Sequence, residues 1–76
     1  PSTTIEYEIP EGGMHVNLSI YDIRGRLVEE LVNQYQDASY DAYKVVWSAY
    51  DISSGIYFIR LHGDNTVQTQ KIMLIK

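Results

Sequence analysis

The sequence predicts an all-β protein, a small antiparallel sandwich of six or seven short strands. Three observations carry that prediction. Apolar and polar residues alternate through "TTIEYEI" and "HVNLSIY", the period of two that a half-buried strand requires. Short runs rich in Val, Ile and Tyr, such as "YKVVW" and "IYFIRL", are separated by breaks bearing Gly, Pro and Asp. A chain of 76 residues has room for one domain at most.

In chain order, Thr3 to Ile9 places Ile5, Tyr7 and Ile9 on one face and Thr4, Glu6 and Glu8 on the other. Pro10, Gly12 and Gly13 then break the strand. Val16, Leu18 and Ile20 alternate with Asn17, Ser19 and Tyr21, the cleanest strand pattern in the sequence. "DIRG" follows, with Asp22 and Gly25 suited to the first and last positions of a type I turn. The segment "RLVEELVNQYQDA" is ambiguous. Leu27, Val28, Leu31, Val32 and Tyr35 recur at helical spacing, and periodicity alone favours a helix there. Tyr43 to Trp47 is β-branched and aromatic, with Tyr43, Val45 and Trp47 on one face. Gly55 opens "IYFIRL", which is apolar on nearly both faces and therefore central. "HGDN" turns the chain, and "TVQTQKIMLI" returns it.

Composition excludes several functions. There is no cysteine, hence no disulfide and no thiolate chemistry. The net charge is −4, with no Lys/Arg cluster, and nucleic-acid binding needs concentrated positive charge. No stretch approaches the roughly 20 apolar residues of a membrane span. The chain opens at Pro1 with neither an initiator Met nor a signal peptide, as expected of a piece of a longer protein.

Candidate chemistry is sparse. His15 and His62 are the only histidines and lie in no short ligand motif; a zinc site needs three or four ligands. Ser53 and Ser54 precede Gly55 without a nucleophile elbow, a base or an oxyanion hole, so they fit a tight approach to a strand. Asp37, Asp41, Asp51 and Asp64 lack the spacing of a calcium loop. Asn17-Leu18-Ser19 matches the glycosylation pattern but lies in mid-strand. No cofactor and no enzymatic activity are expected.

The aromatic residues carry more information. Of the seven tyrosines, Tyr35, Tyr40, Tyr43 and Tyr50 cluster around the middle loop, beside the single Trp47. Tyr43, Trp47 and Tyr50 could form a sugar-stacking face. The alternative, which we favour, packs Trp47 and Tyr57 in the core with the other rings along its rim. Tyr57 also stands where a tyrosine corner would, its hydroxyl bonded back to upstream backbone.

Taken in order, "PSTTIEYEIPEGG", "LSIYDIRGRLVEELV", "VVW", "SSGIYFIRL" and "TQKIMLIK" resemble the type A C-terminal sorting domain of the type IX secretion system. This family is also called the Por secretion tail and is similar to the Ig-like domain of flagellar hook-capping proteins. Each segment is weak alone, but the ordered set spans nearly the whole chain. The longer hairpin usual in the family is shortened here to "WSAYDISSG".

The resemblance implies an Ig-like or fibronectin-III-like sandwich of about seven strands, with Arg26–Val32 as a strand. It implies that residues 1–76 are a single domain, a fragment of a larger secreted protein with a covalently attached cargo on its N-terminal side. The domain would be a non-catalytic address, read by the outer-membrane type IX machinery and removed by a sortase-type peptidase. The cargo would pass through the periplasm to the cell surface or medium. By the same analogy the recognised residues are Gly55, Tyr57, Arg60, Lys71 and Lys76. The competing function is an Ig-like extracellular binding module for carbohydrate or protein, using Tyr43, Trp47 and Tyr50.

Overall fold

The computed structural model describes residues 2–75. Six strands are present among them: β1 (Ser2–Tyr7), β2 (Met14–Asp22), β3 (Leu27–Gln36), β4 (Tyr43–Ser48), β5 (Gly55–His62) and β6 (Val67–Leu74). About seven were expected. The difference falls at 49–54, a turn too short to contain a hairpin of its own.

The strands form two antiparallel layers of unequal width. One has the order β3-β2-β5-β6 and the other is the pair β1-β4. Alternation sorts the side chains as the sequence predicts. Val16, Leu18 and Ile20 of β2 and Tyr57, Ile59 and Leu61 of β5 face inward and are buried. Tyr7 and Trp47 meet them from the smaller layer. Trp47 is 1 % exposed and sets its ring edge-on to Tyr57, centroids 5.9 Å apart. Tyr7 stacks on Tyr43 and donates a 2.6 Å hydrogen bond to Gln36 Oε1 at the end of β3, tying the layers together. Burial, with Tyr43 close by, pushes the Tyr7 phenol above its ordinary value against the opposing effect of the Gln36 bond.

β3 is a strand, as the family resemblance implied and against its helical periodicity. The reason lies in its pairing with β2. Register shifts at Leu18/Ser19 and Ile20/Tyr21 leave Leu31 and Val28 as extra residues on β3. Each such bulge resets the alternation, so Val28, Leu31 and Val32 all pack against the core although strict alternation would separate them. Two bulges in one strand thus imitate a helical spacing.

The β2–β3 connection is the predicted turn. Gly25 N–H donates to Asp22 C=O at 3.0 Å, and Asp22 N–H to Arg26 C=O at 2.9 Å. Gly25 has φ +82°, the left-handed residue that completes a type I turn with a bulge. Asp22 Oδ1 accepts the N–H groups of Arg24 and Arg26, both at 2.9 Å, and Oδ2 accepts Arg26 Nε at 3.0 Å. The Arg26 N–H holds the Asp22 carboxyl below its ordinary value, with Arg24 N–H and the Arg26 guanidinium acting in the same sense against partial desolvation.

Candidate functional site: the outer face of the C-terminal hairpin

β5 and β6 pair from Gly55↔Leu74 to His62↔Val67. β5 is flanked by β2 and β6, whereas β6 is the last strand of its sheet and its far edge is unpaired. Inward positions of β5 alternate with Ile56, Phe58, Arg60 and His62, which face outward. Phe58 stands opposite Lys71 and Arg60 opposite Thr69, so Lys71 shares the outer face with Arg60. On the other side of β5, Phe58 is opposite Tyr21 and Arg60 is opposite Ser19.

Arg60 lies over the Tyr21 ring, its guanidinium carbon 4.8 Å from the ring centroid. That stacking is a cation–π contact and fixes the plane of the head. Arg60 Nε is shielded from solvent and has no hydrogen-bond partner. Arg26 and Lys44 are held by Asp22 and Glu6, at 3.0 and 3.7 Å. Among the described residues no carboxylate pairs with Arg60 or Lys71. Glu30, across Ser19 from Arg60 in the pairing order, is engaged elsewhere. It accepts Asn17 Nδ2 at 3.1 Å and Asn33 Nδ2 at 3.3 Å. His15 Nε2 meets Asn33 Oδ1 at 2.7 Å, and Ser19 donates to Asn17 Oδ1 at 2.6 Å. One half of the outer face is therefore a closed polar network, and the other half holds two uncompensated cations beside aromatic rings.

The five residues singled out by resemblance do not share one surface. Arg60 and Lys71 do. Tyr57 points the opposite way, into the core, and its hydroxyl donates to Ser53 C=O at 2.7 Å; this is the expected tyrosine corner. Gly55 begins β5 with φ +156°, where a Cβ would meet only Tyr57 Cε2 at 3.9 Å, so the backbone, not the available space, favours glycine there. Lys76 lies outside the described residues. Tyr21, which seats Arg60, was not singled out from sequence. Alternation puts it on the right face of β2, but only the strand pairing brings it beside β5.

Tyr43, Trp47 and Tyr50 do not form one open platform. Trp47 is buried, Tyr43 is half-buried against Tyr7 with its hydroxyl donating to Asp37 C=O at 2.5 Å, and Tyr50 is exposed. Among the described residues no three His, Cys, Asp or Glu side chains are grouped to hold a metal ion.

A family model, the secretion system C-terminal sorting domain, matches residues 2–76. The chain belongs to this family. No curated protein and no solved structure matches it. The sorting domain is a signal for type IX secretion, its partner is that secretion machinery, and its destination is the cell surface or extracellular space. Its tyrosine corner gives a first expectation. Tyr57→Phe should keep the fold and lower the unfolding free energy by about 1 kcal/mol, the net worth of one hydrogen bond. Urea unfolding measures this, and an unchanged midpoint would deny the Ser53 bond a role in stability.

Proposed function

We propose that the sorting domain works as a non-catalytic address, and that the part contacted by the type IX machinery is the β5–β6 hairpin. Residues 1–76 then act as one domain joined to a cargo on its N-terminal side. The cargo reaches the periplasm by a Sec signal of its own and leaves through the outer-membrane translocon, and a sortase-type peptidase removes the address. Gly55 and Tyr57 hold the hairpin in shape; Arg60 and Lys71, with Lys76 beyond the described residues, present charge. The observation that carries this reading is the position of the hairpin. Among the described residues it supplies an unpaired sheet edge and, on one face, two cations without carboxylate partners. An open edge is a ready template for strand addition by a receptor.

A reporter delivered to the periplasm of a bacterium with type IX machinery tests the reading. Fused to residues 1–76, the reporter should reach the surface or medium. Fused to a flexible linker of the same length, it should stay in the periplasm. Retention of the chain-bearing fusion would count against the address.

A further inference from the structure

We propose that the outer face around Tyr21, Arg60 and Lys71 docks an extended acidic segment whose carboxylates stand at alternate residues. The inference rests on the reading of the hairpin as the contacted part and adds the chemistry of what contacts it.

The geometry comes from the register. Arg60 is opposite Thr69, and Lys71 is opposite Phe58, so the two cations are diagonal neighbours on adjacent strands. The Cβ atoms of such neighbours are about 7–8 Å apart or a little less; Arg60 leans over the Tyr21 ring on β2, so its head stands farther from Lys71 on β6. Alternate residues of an extended strand are separated by roughly twice 3.3 Å. Two carboxylates in a Glu-x-Glu pattern reach the two cations through the length of their own side chains and the flexible stem of Lys71.

The heads differ in a useful way. Arg60 is pre-oriented on the Tyr21 ring. Among the described residues its terminal nitrogens have no hydrogen-bond partner, and unlike Nε they are not fully shielded from solvent. A planar, oriented guanidinium suits two-point binding of a carboxylate. Lys71 is an exposed point charge that tolerates variation in the second acid. Phe58, half-buried between the two, offers apolar surface to the intervening residue.

Charge complementarity favours an acidic peptide over an anionic membrane. Lipid headgroup binding takes clusters of about four to eight basic residues. Here there are two cations in a chain of net charge −4. Glu30, two strands from Arg60 across Ser19, is held by its hydrogen bonds to Asn17 and Asn33.

The test titrates the isotope-labelled 76-residue chain with acetyl-Thr-Glu-Val-Glu-Thr-amide, followed by backbone amide NMR. Shifts should be confined to the neighbourhood of Ser19, Tyr21, Arg60, Thr69 and Lys71, and should be absent with the peptide in which Gln replaces both Glu. Arg60→Gln should weaken binding about tenfold or more, the loss of a hydrogen bond between charged groups. Arg60→Lys should fall between. If Arg60→Gln also lowers the thermal midpoint, Lys71→Gln on the exposed edge strand supplies the comparison, with weaker binding again expected. No shifts at millimolar peptide, equal shifts with the Gln peptide, unaltered affinity in both neutralised variants, or binding to anionic-lipid vesicles in place of the peptide would each overturn the inference. The reporter assay reads delivery and needs no peptide, so a failure here leaves the address to be judged separately.

Discussion

Trp47→Ala is expected to remove most of the stability of the sorting domain. Trp47 is the largest fully buried side chain, set from β4 against Tyr57 of the facing sheet. Truncating a buried Trp costs about 3–5 kcal/mol, because the lost transfer energy is joined by the cavity left behind. A 76-residue domain has about 4–11 kcal/mol in total. No disulfide limits the unfolded chain. The smaller layer has only two strands, so few neighbours can relax into the space. Far-ultraviolet circular dichroism through a urea series reads the effect. A midpoint within error of the parent would show that Trp47 does not join the layers.

Removing residues 64–76 is expected to abolish delivery of a fused reporter and also to destabilise the fold. β6 is held mainly by backbone pairing with β5. Only Ile72 and Leu74 of its side chains are half-buried; Val67 through Lys71 and Met73 are exposed. Its loss would uncover the flank of Tyr57 and Ile59 and move the free edge to β5. The two variants are informative together. Trp47→Ala weakens the fold but keeps every residue of the hairpin, whereas the truncation weakens the fold and removes β6. Export of the Trp47→Ala fusion but not the truncated one would assign recognition to the hairpin segment itself. Export of the truncated fusion would remove the hairpin from the proposed role.

Much of this architecture was legible in the sequence. β1 and β2 follow the alternation of their apolar residues, and β5 was readable as a central strand because it is apolar on nearly both faces. The Asp22–Gly25 turn and the Tyr57 corner were readable because both use local chemistry, a side-chain acceptor and a left-handed glycine in one case and a hydroxyl near its own strand start in the other. β3 was not readable from its periodicity. Bulges depend on the partner strand, and nothing within Leu27–Gln36 announces where β2 will skip. The candidate site shows the same division. Arg60 stood out as the one charge in an apolar strand, but its seat on Tyr21 required the β2–β5 register, which joins segments far apart in the chain.

The strand pairings also order the events of folding. The β2–β3 and β5–β6 hairpins close over short turns, and hairpins form in about 1–10 μs. The β1–β4 pair joins Ser2 to Ser48 and Tyr7 to Tyr43, and the β2–β5 pair joins Asn17 to His62 and Asp22 to Tyr57, each across roughly half of the chain. Such distant pairing carries the larger loop-closure entropy and is slow. The two hairpins thus precede both distant pairings, and Trp47, which comes with β4, closes the core only when the layers meet.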